Sequence, residues 1–235
     1  MIASPVRLVG AAAAAFVTLS LVVIGHAGPL FSFDALVSGA AHTAALAHPL
    51  WRAAMAAVTA TGSTTILGPL TAAGCAILLR FGRWRQAVFA ATAMIVTLAA
   101  RLVVLNLIAR PRPADRLAAS SGFSFPSGHS TASAAAALIL VLICWPLLKQ
   151  RWSRVLLCLG AGAWAFTVGL SRVALVVHWP SDVVGAWLFV LALVPAIGLA
   201  LRHFLGRAES PRRGQAAGRP GAATGAEQLD GDRQD

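Results

Sequence analysis

Charge is what this 235-residue chain has least of. Only 11% of its residues are charged, whereas a soluble domain carries about a quarter. Hydrophobic residues make up 58% and the mean hydropathy is +0.76. The apolar residues come in long blocks, not at amphipathic intervals. A water-soluble globule is excluded, and an all-α polytopic membrane protein is expected. Acids are scarcer than bases, 8 against 19, which leaves a net charge of +11. That charge does not imply a nucleic-acid partner, because the bases are scattered over short loops and a tail. No basic helix or aromatic-interleaved stripe gathers them. Cysteine occurs three times; Cys75, Cys144 and Cys158 all fall in apolar blocks, which excludes a disulfide framework or a cysteine metal site. They read as small packing residues. Lysine occurs once, at Lys149.

Six blocks are long enough to cross a bilayer as helices of about 20 residues: about 8–26, 64–81, 86–108, 129–148, 155–172 and 182–204. Segment 34–60 is Ala-rich but holds Asp34, His42, His48, Pro49 and Arg52. It reads as an outer interfacial helix and turn, with a seventh span as the rival. The run after Arg7 exceeds a signal-peptide core, so an uncleaved first span is expected. Residues 1–205 form one six-helix domain. Residues 206–235 turn to Gly, Pro, Arg, Glu, Asp and Gln, and a disordered cytoplasmic tail is expected there.

The arginines orient the bundle. Arg80, Arg83 and Arg85 share one loop, and Lys149, Arg151 and Arg154 share another. With six spans these loops, Arg7 and the basic tail all face one side, which the positive-inside rule makes cytoplasmic. Both termini are then inside. Arg110, Arg112, Arg116 and Arg172 face outwards with the residues that carry chemistry.

Asp182 is the only acid between Arg116 and Arg202, in a stretch otherwise fit to span a bilayer. Ionisable groups at that depth are costly and mark function. Pro180 suits the first turn of a helix, so His178 stands at its entrance with Asp182 four residues on. That offset brings the carboxylate to one imidazole nitrogen and leaves the other as a nucleophilic lone pair. A His-x-x-x-Asp metal pair is the alternative, but no third ligand suggests itself.

A second cluster is Phe125-Pro-Ser-Gly-His129-Ser, opening an Ala/Leu helix. Ser127 is a natural N-cap, and Gly128 admits a ligand close to the backbone. The free N–H groups of that helix start suit an anion, with His129 beside it. Arg112 and Arg172 add planar forks suited to phosphate oxygens. Together these parts describe phosphoryl transfer. Arg112, Arg172, Ser127 and Gly128 would hold the oxygens, His178 would attack phosphorus, and His129 would serve as acid and then base.

These residues form three ordered motifs. Pro126-Ser127-Gly128-His129 is complete, as is Ser171-Arg172-x5-His178-x3-Asp182. Arg112-Pro113 ends the first motif, and Arg110-Pro111 duplicates it. The pattern resembles the membrane-bound type 2 phosphatidic acid phosphatases, relatives of the vanadium haloperoxidases. The resemblance implies a metal-independent, cofactor-free hydrolase with its site on the outer face. Its substrates would be lipid phosphates or isoprenoid pyrophosphates such as undecaprenyl pyrophosphate. One departure stands out: the family's first-motif lysine falls on Leu105. Arg101, one helical turn earlier, and Arg110 are the candidates to replace its charge. Two alternatives follow from the same residues: transfer to an acceptor other than water, or non-catalytic binding of lipid phosphate if Leu105 disables the site.

Overall fold

The computed structural model describes the backbone of residues 5–217 and the side chains of 6–204. Among the described residues the chain is all helix and loop: α1 (Pro5–Ile24), α2 (Gly28–Ala47), α3 (Pro49–Thr61), α4 (Thr64–Arg80), α5 (Trp84–Ile108), α6 (Gly128–Cys144), α7 (Arg151–Ala174) and α8 (Pro180–Ala217), with a short 3₁₀ turn after α6. The six expected spans coincide with α1 and α4 to α8. Two compact units divide the chain, Met1–Leu199 and Ala200–Asp235. Helix α8 continues to Ala217, through the first residues of the expected tail; 218–235 lie outside the described residues.

Local chemistry explains the boundaries. Pro29 and Pro49 open α2 and α3, where a missing N–H costs nothing. Helix α5 stops at Ala109, which is left-handed at φ 52, just before two prolines that cannot continue a helix. Segment 34–60 is helical in two pieces, broken at His48. By length and composition alone, seven helices qualify as spans; Gly28–Ala47 is the addition, and α3 joins α4 in one stretch, Pro49–Arg80.

The packing is that of helices in lipid. Leucines such as Leu21, Leu36, Leu107 and Leu156 are exposed, and small residues fill the interior. Ala90 and Ala93 of α5 meet Ala135 of α6 and Val190 and Val194 of α8 in one buried cluster. In a bilayer the hydrophobic effect does not drive helices together, so close approach over small residues supplies the van der Waals contact. Gly185 shows how tight this becomes: a β-carbon there would stand 2.5 Å from the Phe125 ring. Phe125 is fully buried and immediately precedes Pro126. Gly185→Ala should therefore destabilise the fold by about 1–3 kcal/mol through overpacking and shift the loop that follows Phe125. Thermal unfolding in detergent checks this; an unchanged midpoint would contradict it.

Candidate active site

Three chain segments converge on one cluster of polar side chains: the loop from Ala109 to Ser127, the end of α7, and the five-residue joint into α8. The loop closes on itself where Ser124 donates its N–H and its hydroxyl to the Arg110 carbonyl, at 2.8 and 3.1 Å. It is tied to the joint at several points. Leu117 N–H reaches the Leu175 carbonyl at 3.0 Å, and the Trp179 indole donates to the Pro111 carbonyl at 2.9 Å. Met55 and Val58 of α3 cover the joint by packing on Ala174, Leu175 and Val177.

The joint turns sharply at Val176, which is left-handed at φ 53. That region costs a β-branched residue about 1–3 kcal/mol. The surroundings hold it there, because Val177 and His178 both donate their N–H to the Arg172 carbonyl, at 3.1 and 3.3 Å. The turn carries His178 inward, where it is 1% exposed.

His178 and Asp182 meet as their spacing suggests. Nδ1 stands 3.3 Å from Asp182 Oδ2, which also accepts the Trp179 N–H at 2.9 Å. On the other side of the ring, Arg112 Nη1 donates to Nε2 at 2.9 Å. A guanidinium has no acceptor, so the network assigns the tautomer: Nδ1 carries the proton and Nε2 the lone pair. Arg112 also donates to the carbonyls of Val177, at 2.8 Å, and Gly122, at 3.0 Å.

The residues expected to hold an anion lie around this pair. Ser127 has N-cap backbone geometry, but its side chain caps no N–H; its hydroxyl accepts from Ser130 at 2.9 Å instead. That differs from the capping expected of Ser127. The N–H groups of the first turn of α6 have no preceding turn to bond. Its own N–H donates to the Asp182 carbonyl at 3.1 Å, which binds the loop to α8. His129 is half-buried, within electrostatic range of His178, Arg101, Arg112 and Arg172. Arg172 donates to Thr59 of α3 at 2.7 Å, while its buried Nε has no partner. Arg116 is exposed and donates to the Ser120 carbonyl at 3.3 Å.

The two candidates to replace the first-motif lysine separate cleanly. Arg101 donates to the Pro126 carbonyl at 3.0 Å, and its guanidinium carbon lies 3.2 Å from where a β-carbon on Gly128 would sit. It thus lies against the Pro126–Gly128 loop. Arg110 is buried, with both terminal nitrogens occupied by Asp182 at 2.7 Å and Asp34 at 2.6 Å. Sequence reasoning placed Arg110 among the phosphate-binding candidates, but its charge is directed to carboxylates. Asp34 and Thr59 were missed. Both lie on α2 and α3, whose composition resembles an ordinary interfacial segment. An acid in an Ala-rich helix was the one available signal. A separate cavity of about 710 Å³, lined by residues including Leu67, Cys75, Ile139 and Leu157, contains none of these side chains.

Residues 86–203 match the model of the PAP2 superfamily. Phosphatidylglycerophosphatase B of Escherichia coli K12 is 42% identical over 74 residues, 32% of this chain. The chain spans only 27% of that relative's length. Lipid A 4'-phosphatase of Bacteroides thetaiotaomicron is 30% identical over 166 residues, 60% of this chain and 69% of the relative. A solved structure, that of a transmembrane PAP2 type phosphatidylglycerolphosphate phosphatase from Bacillus subtilis, superposes with a TM-score of 0.73 at 26% identity. The match covers 81% of this chain and 94% of that one.

Proposed function

Because this chain belongs to the PAP2 superfamily, we propose that it is a multi-pass membrane phosphatase that hydrolyses a lipid phosphate through a phosphohistidine. The substrate class is a lipid phosphomonoester of the phosphatidylglycerophosphate kind, with isoprenoid pyrophosphate as the second arm of the test. The observation that carries this reading is the imidazole of His178, held between Asp182 on Nδ1 and an arginine on Nε2.

The steps follow from that geometry. An incoming phosphate dianion draws the donors of Arg112 onto its oxygens and so uncovers the Nε2 lone pair. Arg172, whose Nε lacks a partner, the Gly128 amide and Ser127 take further oxygens. Nε2 attacks phosphorus as the bond to the leaving oxygen breaks, and His129 gives that oxygen a proton. The imidazole becomes cationic as the bond forms, and Asp182 stabilises it through Nδ1–H. Water then attacks the phosphohistidine, His129 takes its proton, and the P–N bond breaks to free phosphate. Metal independence is part of this proposal: the Nε2 position a metal would use faces an arginine.

Arg101 takes the part of the missing lysine, supported by its position against Gly128. Arg101→Met should raise KM and lower kcat/KM by about 10–100-fold, the scale of a lost charge-assisted contact. Leu105→Lys alone should bring no gain, whereas adding it to Arg101→Met should restore part of the loss. Kinetics on the three variants decide this, and a large gain from Leu105→Lys alone would refute the assignment. A supplied charge also disfavours the non-catalytic binder.

His178 lies in the joint, outside the spanning segments. Burial lowers its pKa to about 4, against the hydrogen bond and charge of Asp182, which raise it. The ring of the free protein is therefore neutral at pH 7, with its lone pair available. Acidification protonates it only near pH 4, and the nucleophile is lost as pH falls through that value. After correction for the substrate's own ionisation near about 6, no acid-side loss of kcat/KM should set in above about pH 5, and activity should fall below it. An acid limb near the ordinary histidine value, about 6.5, would contradict this.

The orientation is proposed as well: site on the outer face, both termini cytoplasmic. The arginine-rich loops around Arg83 and Arg151 lie at the opposite ends of the helices that bear the site, which supports it. We further propose that α2 lies on the outer side without crossing. Its Asp34 reaches Ser181 at the start of α8. Its other end leads through His48 into α3, whose Met55 packs on the outer end of α7. Asp34 near the start of α2 and Met55 beyond its end thus both meet the site side of the bundle.

Phosphate release by the purified full chain, with EDTA present, tests the reading. Phosphatidylglycerophosphate, phosphatidic acid and undecaprenyl pyrophosphate are the substrates, and His178→Ala is the control. Release that survives EDTA and vanishes in the variant is expected. Release that persists in the variant, or that EDTA abolishes, would overturn the mechanism.

A further inference from the structure

Asp34 has no place in the three motifs and lies upstream of the residues that match the superfamily. Yet it is fully buried and touches the catalytic couple at one remove. Its Oδ2 receives Arg110 Nη2 at 2.6 Å and the Ser181 hydroxyl, and its Oδ1 accepts the Ser181 N–H at 3.0 Å. The other terminal nitrogen of Arg110 donates to Asp182 Oδ1 and to the Ser181 hydroxyl, both at 2.7 Å. Rings of Phe31 and Trp179 lie 4.8 and 5.5 Å from the guanidinium carbon, which restrains it further. One buried arginine is thus shared by two carboxylates.

That sharing has a chemical consequence. Asp182 must accept strongly from the Nδ1–H of His178, most of all when phosphorus attack makes the imidazole cationic. An arginine given wholly to Asp182 would neutralise the carboxylate and weaken that acceptance, because charges in a desolvated site interact more strongly than in water. Asp34 draws half of the guanidinium away. It also grips the backbone and hydroxyl of Ser181, the residue beside Asp182, and so sets where α8 begins.

We propose that Asp34 is a positioning residue for the His178–Asp182 couple, dividing the charge of Arg110 so that Asp182 stays a strong acceptor. This rests on reading His178 as the nucleophile. It makes α2 a working part of the site, a helix whose composition otherwise marks it as interfacial padding.

Asp34→Asn is nearly isosteric and can still accept the Ser181 N–H. Phosphate release from phosphatidylglycerophosphate should show kcat lowered about tenfold or more with KM within about twofold. The Asp34→Asn/Arg110→Gln double variant leaves Asp182 as the lone charge of the cluster. Its kcat should exceed that of Asp34→Asn, a sign of coupling between the two residues. A purely structural Asp34 predicts the opposite order, with the double variant the worse. The proton resonance of His178 Nδ1–H, assigned in ligand-free full chain by comparison with His178→Ala, gives a readout independent of turnover. It should move upfield in Asp34→Asn and return towards the wild-type position in the double variant. An unmoved resonance, or a double variant less active than the single, overturns the proposal. If Asp34→Asn does not fold, the double variant decides by its resonance: near wild type supports the proposal, an upfield position refutes it. Turnover that survives His178→Ala would instead sink the nucleophile reading, and the resonance would still judge Asp34.

Discussion

His178→Ala is expected to lower phosphate release by about four orders of magnitude or more, with the protein still folded. The magnitude follows from what the side chain does: a covalent route loses its nucleophile entirely, and only binding and charge stabilisation remain. The substituted protein keeps Arg101, Arg112, Arg172 and the first turn of α6. It should therefore still bind inorganic phosphate or the lipid substrate, and with one constraint on Arg112 removed. Rapid-quench labelling with a radiolabelled substrate gives the sharper reading. Wild type should show an acid-labile phosphoenzyme, as expected of a phosphorus–nitrogen bond, and the variant none. A labelled variant would place the nucleophile elsewhere.

The second large effect is expected from Asp182→Asn, at about 10²–10⁴-fold in kcat, the scale at which an orienting carboxylate acts on a catalytic imidazole. Asp182 is 0% exposed and uses both oxygens, one for Arg110 and one for His178 and the Trp179 N–H. In the asparagine variant Arg110 and Trp179 both still need an acceptor, and only one oxygen remains. If the amide NH₂ turns to the ring, it stabilises the tautomer with the proton on Nε2, and the lone pair that should meet phosphorus is gone. Substrate binding should change little, because Arg101, Arg112 and Arg172, the arginines proposed to hold phosphate, are untouched. The expected signature is a fall in kcat at nearly constant KM, together with a lower melting temperature from the imperfectly paired Arg110. A large rise in KM at constant kcat would instead assign Asp182 to binding.

The contrast between these residues and Asp34 explains how much of the site could be read in advance. His178 and Asp182 lie four apart at a helix entrance, so a local rule about helix faces brings them together. The Pro126–His129 cluster is local too, because four successive residues make both the loop and the first turn of α6. Even the pairing of Arg172 with His178 is short-range, since the Arg172 carbonyl accepts the N–H groups of the joint. The spans were legible for a different reason. Lipid-facing helices must be apolar over about 20 residues, and that demand leaves its mark in composition alone.

Arg110 and Arg101 were not separable that way. Both are arginines near the end of α5, and spacing admits either as the substitute for a lysine at position 105. The chain's turn at Ala109 decides between them. It directs Arg110 to the start of α8, where Asp34 and Asp182 await it, and leaves Arg101 on the helix face against Gly128. Asp34 and Thr59 pose the same problem over longer distances. Their partners are 76 and 113 residues away, and no local periodicity reports a contact of that range.

The sequence by itself determined the membrane class, the positions of six helices and the meeting of His178 with Asp182, because hydrophobic length and residue spacing are local quantities. Only the tertiary structure decided that Arg101 lies against Gly128 while Arg110 is held by acids, and that α2 and α3 reach the candidate site. Those outcomes depend on which buried charges come within hydrogen-bond reach of each other. The pairing of a buried charge is settled by the helices around it and not by its neighbours in the chain.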